Sequence, residues 1–147
     1  MKLKQMNKKT YKAFIAKSIK RFAKDGVKSG YWSEGESIKE AKRFYAKNAF
    51  TKKSYLFYTI RNTESKVLGY LWLIKERKAL YIAEIYIRKK HRQKGYAQET
   101  LAKVEKLAHS FKYKKVELTV STHNTIAKSL YTKCAYHPSS EYRVKKI

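Results

Sequence analysis

The chain has 147 residues, of which 36 are Lys or Arg and 11 are Asp or Glu, so its formal net charge is +25 at pH 7. This length predicts one domain over residues 1–147, burying roughly two-thirds of the surface of the unfolded chain. With no apolar stretch of 18 residues and no secretory signal at the basic N-terminus, we expect a cytoplasmic protein without a membrane span. The single cysteine, Cys134, excludes an internal disulfide and a cysteine-built zinc site, and no metal is expected.

The positive charge comes from 29 Lys and 7 Arg, spread along the whole chain. Arg is the residue suited to reading base edges and clamping phosphates, so an even excess of Lys favours a solvated surface with a compositional bias. Any nucleic-acid binding is therefore expected to be non-specific and to weaken as salt rises. A basic module that binds nucleic acid or acidic surfaces without catalysis is the alternative.

Taken in chain order, the first elements are a short strand and two helices. Residues 2–6 predict the strand, and residues 8–24 carry apolar side chains at helical spacing. Ser37 and Glu40 form a candidate capping box for a second helix that runs to about Asn48.

The rest of the chain alternates strands and helices. Residues 54–61 and 66–75 predict a hairpin. The elements expected after it are a strand at 79–88, a helix striped from Ala97 to Phe111, a strand at 115–121, a helix at 125–133 and one or two short strands around Pro138. No repeat or linker is present, which indicates an α/β (α+β) fold with a mixed central sheet and about four helices.

The motif with the clearest chemistry is Arg92-Gln93-Lys94-Gly95-Tyr96-Ala97, which lies between a predicted strand and a predicted helix. A tight turn here leaves the first N–H groups of the helix pointing outward, where the helix dipole adds to their attraction for an anion. Gly95 allows the turn and a close approach of phosphate, and Arg92 and Lys94 add charge. The motif predicts a phosphate-binding site.

A second motif follows the β-rich run at residues 116–120. It contains Asn124, Ala127, the pair Leu130-Tyr131, and Lys133. Together the two motifs resemble those of the GCN5-related N-acetyltransferase (GNAT) superfamily, Arg/Gln-x-x-Gly-x-Gly/Ala and Asn-x-x-Ala-x-x-Leu-Tyr-x-Lys-x-Gly-Phe. The chain departs from the second pattern at two positions, with Ala135 for Gly and Tyr136 for Phe.

The resemblance implies acetyl transfer from acetyl-coenzyme A to an amine in a single GNAT-like domain. The cofactor would lie between two splayed strands, those before each motif. Its pyrophosphate would bind the N–H groups of Gln93, Lys94, Gly95, Tyr96 and Ala97, next to Arg92. Backbone of the strand Ile85-Tyr86-Ile87 would meet the pantetheine arm, and Asn124, Ala127 and Tyr131 would complete the cofactor site.

Three residues are candidates for proton transfer. The resemblance places the Tyr131 phenol next to the cofactor sulfur, where it could protonate the leaving thiolate or merely pack. Glu84, on the strand before the loop, is a base or orders a base-acting water in one interpretation and is salt-bridged in the other. His123 is a further candidate for the base.

The amine acceptor, a small molecule or a peptide or protein amine, is not defined by the resemblance. The loop between the first two helices, with Tyr31, Trp32 and Glu34, is the candidate substrate entrance. The Glu34 carboxylate could attract a cationic amine or compensate the dipole of the second helix. Transfer of a longer acyl group and a homodimer are left open.

Overall fold

The structure is a computed structural model, and it describes residues 1–45 and 49–147. The chain groups into two compact units. The sheet unit comprises Met1–Lys12 and Asn48–Thr119, and the helical unit comprises Ala13–Lys47 and Val120–Ile147. Organisation of residues 1–147 as one domain stays a prediction.

The sheet unit contains one mixed five-stranded sheet in the order β1-β2-β3-β4-β5. Neighbours among the first four strands pair antiparallel, whereas β5 is parallel to β4. The strands are β1 (Lys2–Gln5), β2 (Tyr55–Arg61), β3 (Val67–Lys75), β4 (Leu80–Ile87) and β5 (Val116–Leu118). The prediction of a mixed sheet is confirmed, and both strands of the predicted hairpin lie where expected.

The helix α3 (Tyr96–Ser110) packs against β4 and β5. Leu101 and Val104, on its predicted apolar stripe, are fully buried, as is Leu80 of β4. Burial of each such side chain stabilises the fold by about 1.5–3 kcal/mol. This packing holds the first turn of α3, which begins at Tyr96 directly after the loop that follows β4, in place against the sheet.

The helical unit contains most of α1 (Lys8–Lys28), together with α2 (Glu34–Phe44) and α4 (Thr125–Lys133). Phe22 of α1 packs edge-on against Trp32 and Phe44, with ring centroids 5.3 and 4.9 Å apart. The Ser18 and Tyr45 hydroxyls are hydrogen-bonded at 2.6 Å. Among the helices of the described residues, none has the length and hydrophobicity needed to cross a bilayer.

The second helix begins earlier than predicted. Its N-cap is Ser33, whose N–H donates to the Glu36 carboxylate at 3.3 Å, so the capping box is Ser33 with Glu36. Ser37 lies inside the helix and is buried, and its hydroxyl donates to the Glu34 carbonyl. The helix ends at Phe44, and the predicted end near Asn48 falls outside the described residues.

The last strands also differ from the prediction. β5 has only three residues, and a turn in which the Asn124 N–H donates to the Ser121 carbonyl precedes α4. Residues 134–147 contain no strand, so the predicted closing strands around Pro138 are wrong. Residues 137–147 are exposed throughout, so this polar and basic segment lacks the burial that would stabilise a strand.

Candidate active site

The loop between β4 and α3 has the backbone of an anion-binding nest. It begins with a short 3₁₀ turn, Lys89–His91, and Arg92 is extended. Gln93 and Gly95 then have positive φ angles of 58° and 76°. In the part of the chain that the structure describes, the N–H groups of residues 93–98 meet no acceptor. Such a row of donors at the start of a helix binds negative charge.

Arg92 ties this loop to the end of β4. Its Nε donates to the Ile87 carbonyl at 2.9 Å, and its guanidinium lies 5.5 Å from the centroid of the Tyr86 ring. The guanidinium therefore holds the loop in place, besides adding the predicted positive charge. Lys94 is exposed on the same loop.

His91, in the short 3₁₀ turn that begins the loop, is buried, with 9% of its surface exposed. Within the described residues its Nε2 has no hydrogen-bond partner. Burial lowers the pKa of His91, and the cations Lys90, Lys66, Lys94 and Arg88 lower it further. Both effects disfavour the protonated imidazolium form of His91. The sequence analysis did not single out this residue, although cations close to a histidine indicate that its protonated form is disfavoured.

The strand β4 is irregular where the cofactor arm is predicted to lie. Trp72 of β3 pairs with Glu84 and Leu73 pairs with Ile82, so Ala83 is an extra residue, a β-bulge. The ladder to β5 covers only Leu80, Tyr81 and Ile82. Residues 83–87 therefore extend past the end of β5, as splaying strands require. The predicted site residues Glu84, Ile85 and Tyr86 are half-buried and Ile87 is buried.

The second motif forms α4 in the helical unit. Asn124 is its N-cap, and the side-chain Oδ1 accepts from the Ala127 N–H at 3.2 Å. Ala127 and Tyr131 are half-buried, and the Tyr131 ring packs at a tilt against Tyr136, 5.9 Å between centroids. The cap uses the amide oxygen of Asn124, so the amide NH₂ is the group that could donate to a ligand.

His123 is part of a polar network that joins this turn to α1. Its Nε2 lies 2.9 Å from Oδ1 of Asp25. The other oxygen of Asp25 accepts from the Ser121 hydroxyl at 2.6 Å, and Ser29 donates to Ser121 at 3.2 Å. Asp25 is the one aspartate in the sequence, and the only acidic residue before residue 34, which is the signal that sequence reasoning overlooked.

The predicted substrate residues lie in the loop after α1 and at the start of α2. Tyr31 is 42% exposed and contacts the Tyr142 ring edge-on at 5.5 Å. Trp32 covers Gly26, where a Cβ would clash with its ring, so it anchors the two helices. Glu34 is exposed in the first turn of α2, a position that compensates the helix dipole.

The match to a family model defines the class of protein. The model of the acetyltransferase (GNAT) family matches residues 20–136. The chain therefore belongs to the GNAT family, and the resemblance noted from its motifs is confirmed, as is the prediction of an acyl-CoA-dependent N-acyltransferase.

Relatives and solved structures agree with this assignment. The chain is 28% identical over 141 residues to the uncharacterized N-acetyltransferase YdgE of Bacillus subtilis, covering 91% of this chain and 90% of YdgE. It is 24% identical over 157 residues to the uncharacterized N-acetyltransferase YycN of the same organism, covering 99% and 97%. The crystal structure of YycN superimposes with a TM-score of 0.93 at 22% identity, over 99% of this chain and 98% of YycN.

A predicted acetyltransferase of Clostridium acetobutylicum, solved with acetyl-CoA, has the same fold. It superimposes with a TM-score of 0.68 at 14% identity, over 99% of this chain and 95% of that one. The four helices and the open mixed sheet of residues 1–45 and 49–147 are thus those of a GNAT fold, which confirms the predicted fold class.

Proposed function

We propose that this protein moves the acetyl group of acetyl-coenzyme A to an amine of a small molecule or peptide, by direct attack in a ternary complex. The observation that carries the proposal is the row of N–H groups at residues 93–98, which have no acceptor among the described residues and begin a 15-residue helix. Family membership and the similar fold solved with acetyl-CoA support the identity of the ligand.

The residues present fit this ligand. A Cβ at Gly95 would meet no protein atom within 4 Å, so the loop has room for a phosphate against its backbone. Residues 92–97 would hold the pyrophosphate, backbone at Ile85 and Ile87 the pantetheine amides, and the Asn124 NH₂ a further polar group. When bound, acetyl-coenzyme A supplies an acetyl group activated as a thioester, which the amine takes while the coenzyme leaves as its thiol.

The chain must then move two protons. Tyr131 gives the proton that the departing sulfur needs, a transfer for which a phenol hydroxyl is suited. Glu84 takes the proton that the attacking amine loses, directly or through an ordered water. His123, held by Asp25, is the alternative acceptor of that proton. No covalent bond to the protein is required.

The first test is a calorimetric titration with acetyl-coenzyme A in about 0.15 M salt. We expect saturable binding of one equivalent. An amine panel, with products detected by mass spectrometry, then tests turnover and narrows the acceptor. Comparison of acetyl-, propionyl- and succinyl-coenzyme A identifies the acyl group. A folded protein that does not bind any of these thioesters would contradict the proposal.

A further inference from the structure

A basic cavity lies in the sheet unit, at the end of α3 away from the cofactor loop. It has a volume of about 570 Å³, in the range of small-ligand sites, and is lined by Arg77, Lys78, Phe111, Lys112, Tyr113, Lys114 and Lys115. Its five cations come from two short segments, the turn between β3 and β4 and the turn between α3 and β5. Because α3 has 15 residues, the cavity lies about 22 Å from the loop after β4.

The cations of this cavity are only partly neutralised. All five are exposed, and Lys115 pairs with Glu117. Lys75 stands nearby, with its ammonium 4.0 Å from the centroid of the Phe111 ring. Residues 75–78 and 111–117 therefore carry six cations and two carboxylates, Glu76 and Glu117. Like charges so close together repel one another, and a bound polyanion would reduce that repulsion.

Lys112 adds an observation that packing does not explain. It follows the end of α3 with a φ of 64°, and its N–H donates to the His109 carbonyl while the Tyr113 N–H donates to the Ala108 carbonyl. This is a Schellman motif, and its left-handed position is usually glycine. A lysine here is strained where glycine would not be, so its charge can be removed by Lys112→Gly without loss of backbone stability.

The aromatic residues decide what kind of anion fits. Phe111 and Tyr113 are half-buried between the lysines, and the Tyr113 hydroxyl donates to the Glu76 carbonyl at 2.9 Å, which fixes its ring. Fixed rings among cations suit single-stranded nucleic acid, whose bases stack and whose phosphates pair with the charges. A surface with one Arg and four Lys contacts phosphates rather than base edges, so binding would not depend on base sequence.

We propose that this cavity is a site for single-stranded nucleic acid, independent of acetyl transfer. The test is fluorescence anisotropy with a labelled 12-nucleotide polyuridine or polythymidine at about 50 mM and about 150 mM salt. The key variant combines Lys112→Gly with Lys114→Ala. Glycine relieves the strain at position 112, so the melting temperature should not fall.

A matched control removes the same charge elsewhere. Lys2 and Lys4 are exposed on β1, the opposite edge strand of the sheet from β5, and Lys2→Ala with Lys4→Ala leaves the cavity intact. We expect the cavity variant to lose at least tenfold in affinity, about 1.4 kcal/mol, and the control less than twofold. The salt slope of the cavity variant should decrease by about 1.4, for two lost phosphate contacts. Its affinity for acetyl-coenzyme A should stay unchanged.

The stacking part has its own variant. Tyr113→Leu should weaken binding about tenfold, whereas Tyr113→Phe keeps the ring without the hydroxyl that fixes it and should weaken binding less than Tyr113→Leu. Equal losses of affinity in the cavity variant and the β1 control would show that only the net charge matters, and would overturn the proposed site. Absence of binding at the lower salt, or equally tight binding of a duplex with the same number of phosphates, would overturn it too.

Discussion

At Gly95 the backbone has a φ of 76°, a conformation that a β-branched residue resists, and the proposed phosphate-binding site lies directly beside it. Gly95→Val should therefore weaken acetyl-coenzyme A binding tenfold or more, about 1.4 kcal/mol, with the fold retained. Isothermal calorimetry measures the affinity.

Gly30 offers the matched control, because its φ is 78° and a Cβ there also meets no atom within 4 Å. Gly30→Val carries the same backbone strain in a different loop, so cofactor affinity should be unchanged. Equal affinity of Gly95→Val and the wild type would refute the role of this loop.

Tyr131 tests the proposed proton donor. Tyr131→Phe keeps the ring that packs on Tyr136 and removes only the hydroxyl. We expect kcat to fall by roughly 10² to 10⁴ with cofactor affinity nearly unchanged, which steady-state kinetics and calorimetry measure together. Tyr142→Phe, at an exposed ring, is the control. A variant at full rate would leave protonation of the thiolate to solvent.

Glu84 tests the proposed base. Glu84→Gln preserves shape and the pairing opposite Trp72, but it removes the proton acceptor, so kcat/KM for the amine should fall by roughly 10² to 10⁴. Glu105→Gln removes an exposed carboxylate of α3 and controls for charge. If Glu84→Gln retains its rate, the role passes to His123 or to water, and Asp25→Asn distinguishes these, since Asp25 holds His123.

At the scale of elements, the pairing of β3 with β4 depends on Gly69. A Cβ at this position would lie closer than 3.0 Å to the Tyr86 carbonyl oxygen, a backbone atom that cannot move aside alone. Gly69→Ala should therefore cost about 1–3 kcal/mol in unfolding free energy, as overpacking does. Urea denaturation measures the loss, and Gly35→Ala, on open helix surface, should not reproduce it. Unchanged stability of Gly69→Ala would contradict the claim that the pairing of β3 with β4 depends on glycine at this position.

Local patterns were enough to predict most of these elements. The strands β2, β3 and β4 and the helix α4 follow from β-branched runs and helical spacing, and the nest follows from one glycine after a basic turn. The start of α2 was missed because two Ser-x-x-Glu patterns lie four residues apart and either could cap it. Asp25 could not be joined to His123 from sequence, because that contact spans 98 positions. The bulge at Ala83 has no local signal either.

At the scale of the whole molecule, His91 links stability to pH. An unfolded histidine binds a proton near its ordinary pKa of 6.5, whereas the lowered pKa in the folded chain keeps His91 neutral to lower pH. The unfolded state therefore binds more protons, and the free energy of unfolding should decrease as pH falls through 6.5 until it reaches the folded pKa.

Denaturant unfolding between about pH 8 and about pH 5 measures this slope. His91→Gln removes the titrating group and should flatten the profile, while His137→Gln, at an exposed position, should not. Identical profiles for His91→Gln and the wild type would exclude His91 as the source.

The extra residue Ala83 determines on which face of the sheet the later side chains of β4 lie. Side chains of a regular strand alternate between faces, so Ile82 and Ile87, five positions apart, should lie on opposite faces. Both are buried, at 4% and 8% exposure, because one inserted residue makes the effective separation even. The same shift keeps Glu84 off the face that Leu80 and Ile82 bury. Deleting Ala83 should therefore leave a regular strand in which Glu84 and Ile87 keep their present faces, whereas a regular strand that retained Ala83 would turn the Glu84 carboxylate onto the face that Ile82 buries.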